Sequence, residues 1–558
     1  MKSRTNRKWA QHTGAHFFKI LDVMIAAVLI LSALLFILYP VMCIIRQSVL
    51  ADNGFSLSAY ADLFGKNLRL LKNSVFVAVL AALLATFLSV CVATCACFAG
   101  KRVKSILSAL LLISMVSPPF ISSLAYIQLF GRRGSITHGL LGLSVDPYGW
   151  VGVVLMQTIF FTSLNALLLI GILDRVDVNL IRSSKDLGAG NLHTYRYIIL
   201  PLIRPAVIIC FLLSFIRSMA DYGTPVVIGG RYENLATEIY MQLIGFANLQ
   251  KSAAMNVLLL LPAVIVFCLY RYLLRKSNRW LNHDGNTESG LDKVYAPGGL
   301  TGIGLKLLSF LFFTIMMLQY GSILVNSFSK QLGGVRYFSL EPFQNLLERN
   351  KDTFIRSILY ALIVALAGTV IGLLISYYVE RRKLRFGGML DFLVTMPYMI
   401  PGSCFGIGYI LAFNHAPLKL TGTAAIVVLN MIFKQLAITT KTASASLLQI
   451  PVELDMAAGD LGAHKLRVLK DILVPNLKHV FAAGFVYNFT TAMVTAGAVI
   501  FLVSPGQKIA VFTLFDVINS GKYAEASMIS TLLIACTVLV NLLFIKTLKK
   551  ERKVPECI

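Results

Sequence analysis

Residues 183–207, SSKDLGAGNLHTYRYIILPLIRPAV, recur as AAGDLGAHKLRVLKDILVPNLKHVF at 457–481, and both copies sit between long apolar runs. Asp186, Leu187, Gly188 and Ala189 align with Asp460, Leu461, Gly462 and Ala463, and Pro201 aligns with Pro475, at a constant offset of 274. Chance similarity between apolar stretches seldom keeps Asp, Gly and Pro in register. A repeat of about half the chain, carrying a polar segment that apolar packing does not require, points to two similar halves with paired docking elements.

The runs themselves fix the solvent. Stretches such as 25–37, 75–90 and 532–545 carry no charge over most of a bilayer-spanning length. Only a helix satisfies their backbone groups in lipid, and a β-barrel would alternate its residues instead. A hydrophobic share of 57%, a charged share of 14% and a mean hydropathy of +0.75 exclude an ordinary soluble or disordered chain. The first run follows Lys2, Arg4, Arg7, Lys8 and Lys19. It is too long for a signal-peptide core and lacks a small-x-small cleavage site, so it reads as a retained span.

Apolar segments predict an all-α polytopic membrane protein with twelve transmembrane helices, six per half: 20–44, 74–98, 106–130, 150–173, 204–227 and 253–274, then 303–327, 357–379, 388–412, 422–440, 476–503 and 527–547. The halves span 1–276 and 303–558. The polar stretch 277–302, rich in Gly, Asn and Asp, reads as a cytoplasmic linker. Basic residues decide orientation. Lys101, Arg102, Lys104, Arg275, Lys276, Arg279, Arg381, Arg382, Lys383, Arg385, Lys549, Lys550, Arg552 and Lys553 collect on one set of turns, whereas 413–421 and 504–526 carry only Lys419, Lys508 and Lys522. The positive-inside rule then places both termini and both repeated segments in the cytoplasm of a bacterial inner-membrane protein. The formal net charge of +25 follows from a membrane chain poor in acids and calls for membrane lipid, with no nucleic-acid partner.

Within the repeat, 179–189 and 453–463 are long enough for a helix of two to three turns. Ser183, Ser184, Ala457 and Ala458 keep one side small, and Gly188 and Gly462 suit a left-handed C-terminal cap. Pro201 and Pro475 suit the first turn of the next span. A short rigid helix projecting from each half is the physical form of a plug for a separate protein.

On these residues the chain resembles the permease subunits of binding-protein-dependent ABC importers, whose cytoplasmic signature reads roughly E-A-A, three residues, G, about nine residues, I-x-L-P. Gly188 and Gly462 match its glycine, Pro201 and Pro475 its proline, and Ser183-Ser184 and Ala457-Ala458 its alanine pair. The signature glutamate is absent from both copies: Arg182 and Met456 stand there, with Asp455 one residue earlier. The resemblance implies the ABC importer permease fold, docking through Arg182, Ser183, Ser184, Asp186, Gly188, Pro201, Met456, Ala457, Ala458, Asp460, Gly462 and Pro475 onto two copies of a cytoplasmic ATPase subunit, and an extracytoplasmic solute-binding protein. SMADYGTPVVIGG at 218–230, LATEIY at 235–240 and AGAVIFLVSP at 496–505 are similar to fused iron(III) permeases of this superfamily. That likeness implies iron(III) as cargo, with phosphonate, thiamine or polyamine as alternatives.

Candidates for a pathway are polar groups and breaks within the spans. Asp221, Tyr222 and Thr224 stand where Gly223 and Pro225 interrupt the fifth span, either lining a path or closing a helix at the outer interface. Lys434 either faces a central cavity or snorkels to the surface. Pro118 and Pro119 in the third span, and Pro397 and Pro401 in the ninth, mark kinks suited to a gate. Ser74 and Ser357 open corresponding spans as capping or interface residues. Cys91, Cys95 and Cys97 read as small core residues, and no His or Cys spacing suggests a metal site. The chain has no GxxxxGK[ST] phosphate loop, and GRRGSIT at 131–137 lacks the lysine. ATP and Mg therefore belong to partner subunits, and this chain is read as the translocation part with no enzymatic site. A transporter driven by an ion gradient is the rival reading; it would show more acids in its spans and no reason for paired D-L-G-A elements.

Overall fold

The computed structural model describes residues 20–550 except 52–53, 67, 133, 145, 175, 282–298, 333–334 and 505. The apolar runs are helical, as lipid demands of them. The first half comprises α1 (Ile20–Val49), α2 (Ser58–Lys66), α3 (Leu68–Phe98), α4 (Lys101–Met115), α5 (Pro119–Phe130), α6 (Trp150–Leu173), α7 (Val178–Asp186), α8 (Asn191–Ala220), α9 (Gly223–Ile228), α10 (Leu235–Tyr240) and α11 (Leu249–Leu281). The second half comprises α12 (Gly299–Ser327), α13 (Glu341–Arg349), α14 (Lys351–Arg381), α15 (Gly387–Tyr398), α16 (Gly402–Phe413), α17 (Ala424–Gln449), α18 (Glu453–Asp460), α19 (465–476), α20 (Lys478–Val494), α21 (Ala510–Asn519) and α22 (Tyr523–Lys550). A small antiparallel hairpin follows the first helix of each half, β1 (Leu50–Ala51) with β2 (Gly54–Phe55) and β3 (Ser329–Leu332) with β4 (Val335–Phe338).

Among the described residues nine helices are long and apolar enough to cross a bilayer: α1, α3, α6, α8, α11, α12, α14, α17 and α22. Counting each bent pair as one span raises the number among the described residues to eleven, short of the twelve expected. The expected spans 106–130 and 388–412 are each two helices, α4–α5 and α15–α16, bent by 100° and 113°. The expected span 476–503 is the 17-residue α20 followed by irregular backbone and a single turn, Val499–Phe501. The fifth span begins at Asn191, well before 204, and stops at Ala220. Of the expected linker, 277–281 close α11 and 299–302 open α12, while 282–298 lie outside the described residues, as do 1–19.

Proline accounts for most of these departures. Pro118 and Pro401 adopt φ −58°, ψ 145° and φ −52°, ψ 145°, extended values that end one helix and start another. Pro119 also holds the residue before it, Pro118, out of helical geometry. Elsewhere proline is absorbed without a break. Wide π-turns at Leu34–Leu38, Tyr195–Ile199 and Leu469–Leu473 each end two residues before a proline, Pro40, Pro201 and Pro475. The ring clashes with the carbonyl four residues back, and a wider turn relieves that clash. Pro201 and Pro475 therefore lie inside helices already under way and not in their first turns, which corrects the sequence expectation.

Each half lends its first helix to the other. Tyr378 of α14 donates to Asp22 Oδ1 of α1 (2.9 Å), and Arg382 pairs with the same carboxylate. Tyr409 of α16 donates to Phe36 O (2.8 Å), the carbonyl that Pro40 leaves without a helical donor. A Cβ on Gly408 would lie 2.8 Å from Pro40 O, so only glycine admits α1 this close to α16. Reciprocally, Tyr320 of α12 meets Ser117, and Asn326 donates to Gln128 Oε1 (2.9 Å).

The repeat reaches individual hydrogen bonds. Ser74 Oγ accepts from Leu235 N (2.8 Å) at the start of α10, and Ser357 Oγ accepts from Ala510 N (2.6 Å) at the start of α21. Asn165 donates to Ser214 (2.7 Å), while at the positions 274 residues on Thr439 donates to Asn488 (3.2 Å). The amide and the hydroxyl have exchanged helices, yet the contact between the fourth and fifth spans is kept.

Candidate functional site

The repeated polar segments fold alike. Asp177 caps α7 by accepting from Asn179 N (2.9 Å). At the far end Gly188 has φ +79° and Gly462 φ +82°. Ala189 N reaches Ser184 O (3.0 Å) and Ala463 N reaches Ala458 O (2.9 Å), closing the same C-terminal motif in both copies. Leu187 and Leu461, just before the glycines, are 87% and 90% exposed. Arg182, Ser183, Asp186, Met456, Ala457, Asp460, Pro201 and Pro475 are exposed too, whereas Ser184 is buried and shares a hydrogen bond with Thr194 (2.9 Å). The second copy is tied down differently. Arg381 pairs with Asp455 (3.5 Å) and donates to Leu447 O (2.8 Å) and Ile450 O, fastening the entry to α18 to the end of α14.

Deeper in the bundle, Asp221 ends α8 at a real break. Its Oδ2 accepts from Gln157 Nε2 (3.0 Å) and its Oδ1 from Thr224 N (3.2 Å), capping the one-and-a-half-turn α9. Ser218 donates to the same glutamine (2.6 Å). The second half builds a counterpart from Thr491, Gln435 and Thr495, Thr491 donating to Gln435 Oε1 (2.7 Å). Tyr222 and Thr224 are buried. Tyr222 stacks on Tyr240 at 5.9 Å and meets Phe515 at 6.3 Å, while Tyr240 meets Phe501 and Phe515 at 6.2 Å. Phe120 adds an edge contact to Phe515 at 6.2 Å. These aromatics come from both halves and fill the seam between them.

The two helix breaks face the same physical problem, a carbonyl released inside the fold. Ser114 O is met by Ser117 (3.1 Å) and Tyr320 (3.4 Å). Pro397, 283 residues on, has its carbonyl met by Lys434 Nζ (2.9 Å), which also donates to Ile400 O and lies 5.5 Å from the Phe405 ring. Lys434 thus does not snorkel; its ammonium is committed to the turn beside Pro401. Pro118, Pro397 and Pro401 are buried, and Pro119 opens α5. Sequence reading missed Arg217 of α8, whose Nη2 donates to Tyr398 OH (3.4 Å) across the seam. An arginine in the last turn of an apolar helix was the available signal, one hidden by neighbours that read as plain apolar span.

On the side opposite α7 and α18, a cleft of about 790 Å³ opens between the halves, lined by Gln128, Arg132, Lys330, Glu341, Asn345 and Glu525 among others. Beside it Arg132 pairs with Asp146 (3.0 Å), and this contact with the Tyr148 N–H holds the Asp146 carboxyl below its usual range. Among the described residues no three His, Cys, Asp or Glu side chains converge as a metal site.

Comparison with known proteins matches this twofold geometry. Residues 85–279 and 368–545 each match the family described as "Binding-protein-dependent transport system inner membrane component". The ferric transport system permease protein FbpB of Actinobacillus pleuropneumoniae is 28% identical over 529 residues, 92% of this chain and 77% of that protein. The putative ferric transport system permease protein FbpB 1 of Haemophilus influenzae is 30% identical over 494 residues, 86% of this chain and 78% of that protein. A putative 2-aminoethylphosphonate transport system permease protein, PhnV of Salmonella typhimurium, is 24% identical over 250 residues, 44% of this chain and 94% of that protein. With one family match in each half of its internal repeat, the chain belongs to the inner membrane components of binding-protein-dependent transport systems.

Proposed function

We propose that this chain is the translocation subunit of an ATP-driven importer for iron(III), two permease halves at 1–276 and 303–558 joined through 277–302. Both termini and both repeated segments face the cytoplasm. Two copies of an ATPase subunit, which hold the ATP and Mg, dock on α7 and α18, and an extracytoplasmic solute-binding protein delivers cargo on the opposite side, where the 790 Å³ cleft opens. The observation that carries the coupling reading is the pair of fully presented leucines, Leu187 and Leu461, held by identical glycine caps at one offset. An exposed leucine on a rigid, anchored turn gains only if a partner covers it. Docking then rests on apolar knobs, since no free carboxylate stands at the signature position: Arg182 and Met456 occupy it, and Asp455 is spent on Arg381.

In this reading ATP-driven closure of the partner dimer moves α7 and α18 together, and the anchors at Thr194 and Arg381 pass that motion to α8 and α14. The aromatic seam of Phe120, Tyr222, Tyr240, Phe501 and Phe515 is the gate that opens in turn, beside the paired breaks at Pro118 and Pro401. The iron(III) cargo rests on likeness to ferric permeases across nearly the whole chain, and 2-aminoethylphosphonate is the second reading, from likeness over one half-length. Uptake into liposomes holding permease, ATPase and binding protein is the test. ATP-dependent accumulation of labelled iron is expected. Accumulation of 2-aminoethylphosphonate without iron reverses the cargo, and uptake by the permease alone under an ion gradient ends the ATP-driven reading.

A further inference from the structure

Two cations lie inside the spanning helices and reach one turn, 397–400, at the seam between the halves. Lys434 is satisfied there by two carbonyls and an aromatic face. Arg217 is not. Among the described residues its guanidinium makes one long contact, 3.4 Å to the neutral hydroxyl of Tyr398, and no carboxylate lies in ion-pair range. Its side chain is half-buried, with buried Leu213, Ser214 and Ser218 beside it on α8. The fifth span of the first half and the break of the ninth therefore meet at this arginine, at the seam between the halves.

Packing does not demand a cation here. The position 274 residues on is Thr491, whose hydroxyl serves Gln435 in the same helix-to-helix role that Ser218 serves for Gln157. A charge inside a membrane span is costly and persists where it meets a counter-charge or a passing substrate. A guanidinium offers a planar fork of donors matched to carboxylate and phosphoryl oxygens.

We propose that Arg217 determines specificity inside the membrane by binding an oxyanion group of the cargo, so that iron(III) crosses only as an anion-coordinated complex. This rests on the iron reading. The positive potential of Arg217 and Lys434 opposes a bare trivalent ion, and it equally opposes thiamine and polyamines, which are cations. It admits a carboxylate or phosphate complex of iron, or a phosphonate.

The test uses the complete complex in liposomes with labelled iron supplied with labelled citrate or labelled phosphate. Wild type is expected to accumulate one of the anions with the iron in fixed ratio. Arg217→Gln should lower the uptake rate at least about tenfold, as expected for loss of a charge-assisted hydrogen bond. Arg217→Lys should retain part of the rate, and Tyr398→Phe, which removes only the hydroxyl partner, should stay near wild type. Iron entering with neither anion, or wild-type uptake by Arg217→Gln, overturns the proposal. So does a loss in Tyr398→Phe equal to that in Arg217→Gln, which makes the arginine a staple. If wild type moves 2-aminoethylphosphonate and no iron, the iron reading fails alone, and the Arg217→Gln loss measured on phosphonate decides the oxyanion site. Uptake of thiamine or a polyamine sinks both.

Discussion

Replacing Leu187 and Leu461 by alanine separates docking from folding more cleanly than any other change in this chain. Both side chains are almost fully exposed, 87% and 90%, so the isolated permease derives little stability from them. Burying a leucine side chain is worth about 1.5–3 kcal/mol, and alanine keeps a minor share of that. Taking about 2 kcal/mol lost per site, each single variant should bind the ATPase partner roughly 30-fold more weakly, and the double variant roughly 10³-fold. Additivity follows if the two sites seat in separate copies of the partner, as proposed above. The measurement is a titration of detergent-solubilised permease with purified ATPase, read as a dissociation constant, with thermal unfolding of the permease alone as control. Surface changes of this kind shift stability by no more than about 0.5 kcal/mol, so the unfolding midpoint should hold. Wild-type affinity in the double variant would refute the apolar-knob argument. A lowered midpoint with unchanged affinity would show instead that the leucines support the fold.

At Gly188 and Gly462 a Cβ would meet open space, so the cost of substitution is purely one of backbone dihedral. Valine should cost about 1–2 kcal/mol at each cap and asparagine much less, and ATP-driven uptake should fall in the valine variants and survive in the asparagine ones. Lys434→Met strips the donor from Pro397 O and Ile400 O, and unmatched buried acceptors cost about 1–3 kcal/mol each, so the unfolding midpoint should drop sharply; an unchanged midpoint would mean the ammonium is not what holds the turn. Asn165→Thr combined with Ser214→Asn installs the second half's contact in the first. Each single change should destabilise, and the pair should recover a coupling energy of roughly 0.5–1.5 kcal/mol in a double-mutant cycle.

Much of this was legible in the residues. Run length gave the helices, the D-L-G-A repeat gave two halves with matched caps, and Ser74 and Ser357 do meet the N-termini of α10 and α21. What escaped was the fate of individual carbonyls. Pro118 and Pro401 read as kinks, yet a bend of 100° or 113° depends on whether a neighbouring helix can satisfy the backbone groups set free, and that neighbour lies far away in sequence. Tyr320 and Lys434 are those neighbours, 203 residues from Ser117 and 37 from Pro397 respectively. Asp221 read ambiguously for the same reason: its meaning depends on Gln157, 64 residues earlier. Pro201 and Pro475 misled because a π-turn, invisible to hydropathy, lets a helix run through proline.

The asymmetries within the repeat then sort structure from function. Where the halves solve one geometric problem with different chemistry, the chemistry is local: Tyr320 and Ser117 do for Ser114 O what Lys434 does for Pro397 O, and Asn165–Ser214 does what Thr439–Asn488 does. The charge of Lys434 is thus accounted for by carbonyls that any donor of suitable reach would serve. Arg217 fits no such pairing, because its counterpart Thr491 completes a hydrogen bond within its own half and leaves no cation to match. A cation placed at the seam between the halves, needed by neither half for its fold, is available to whatever passes between them.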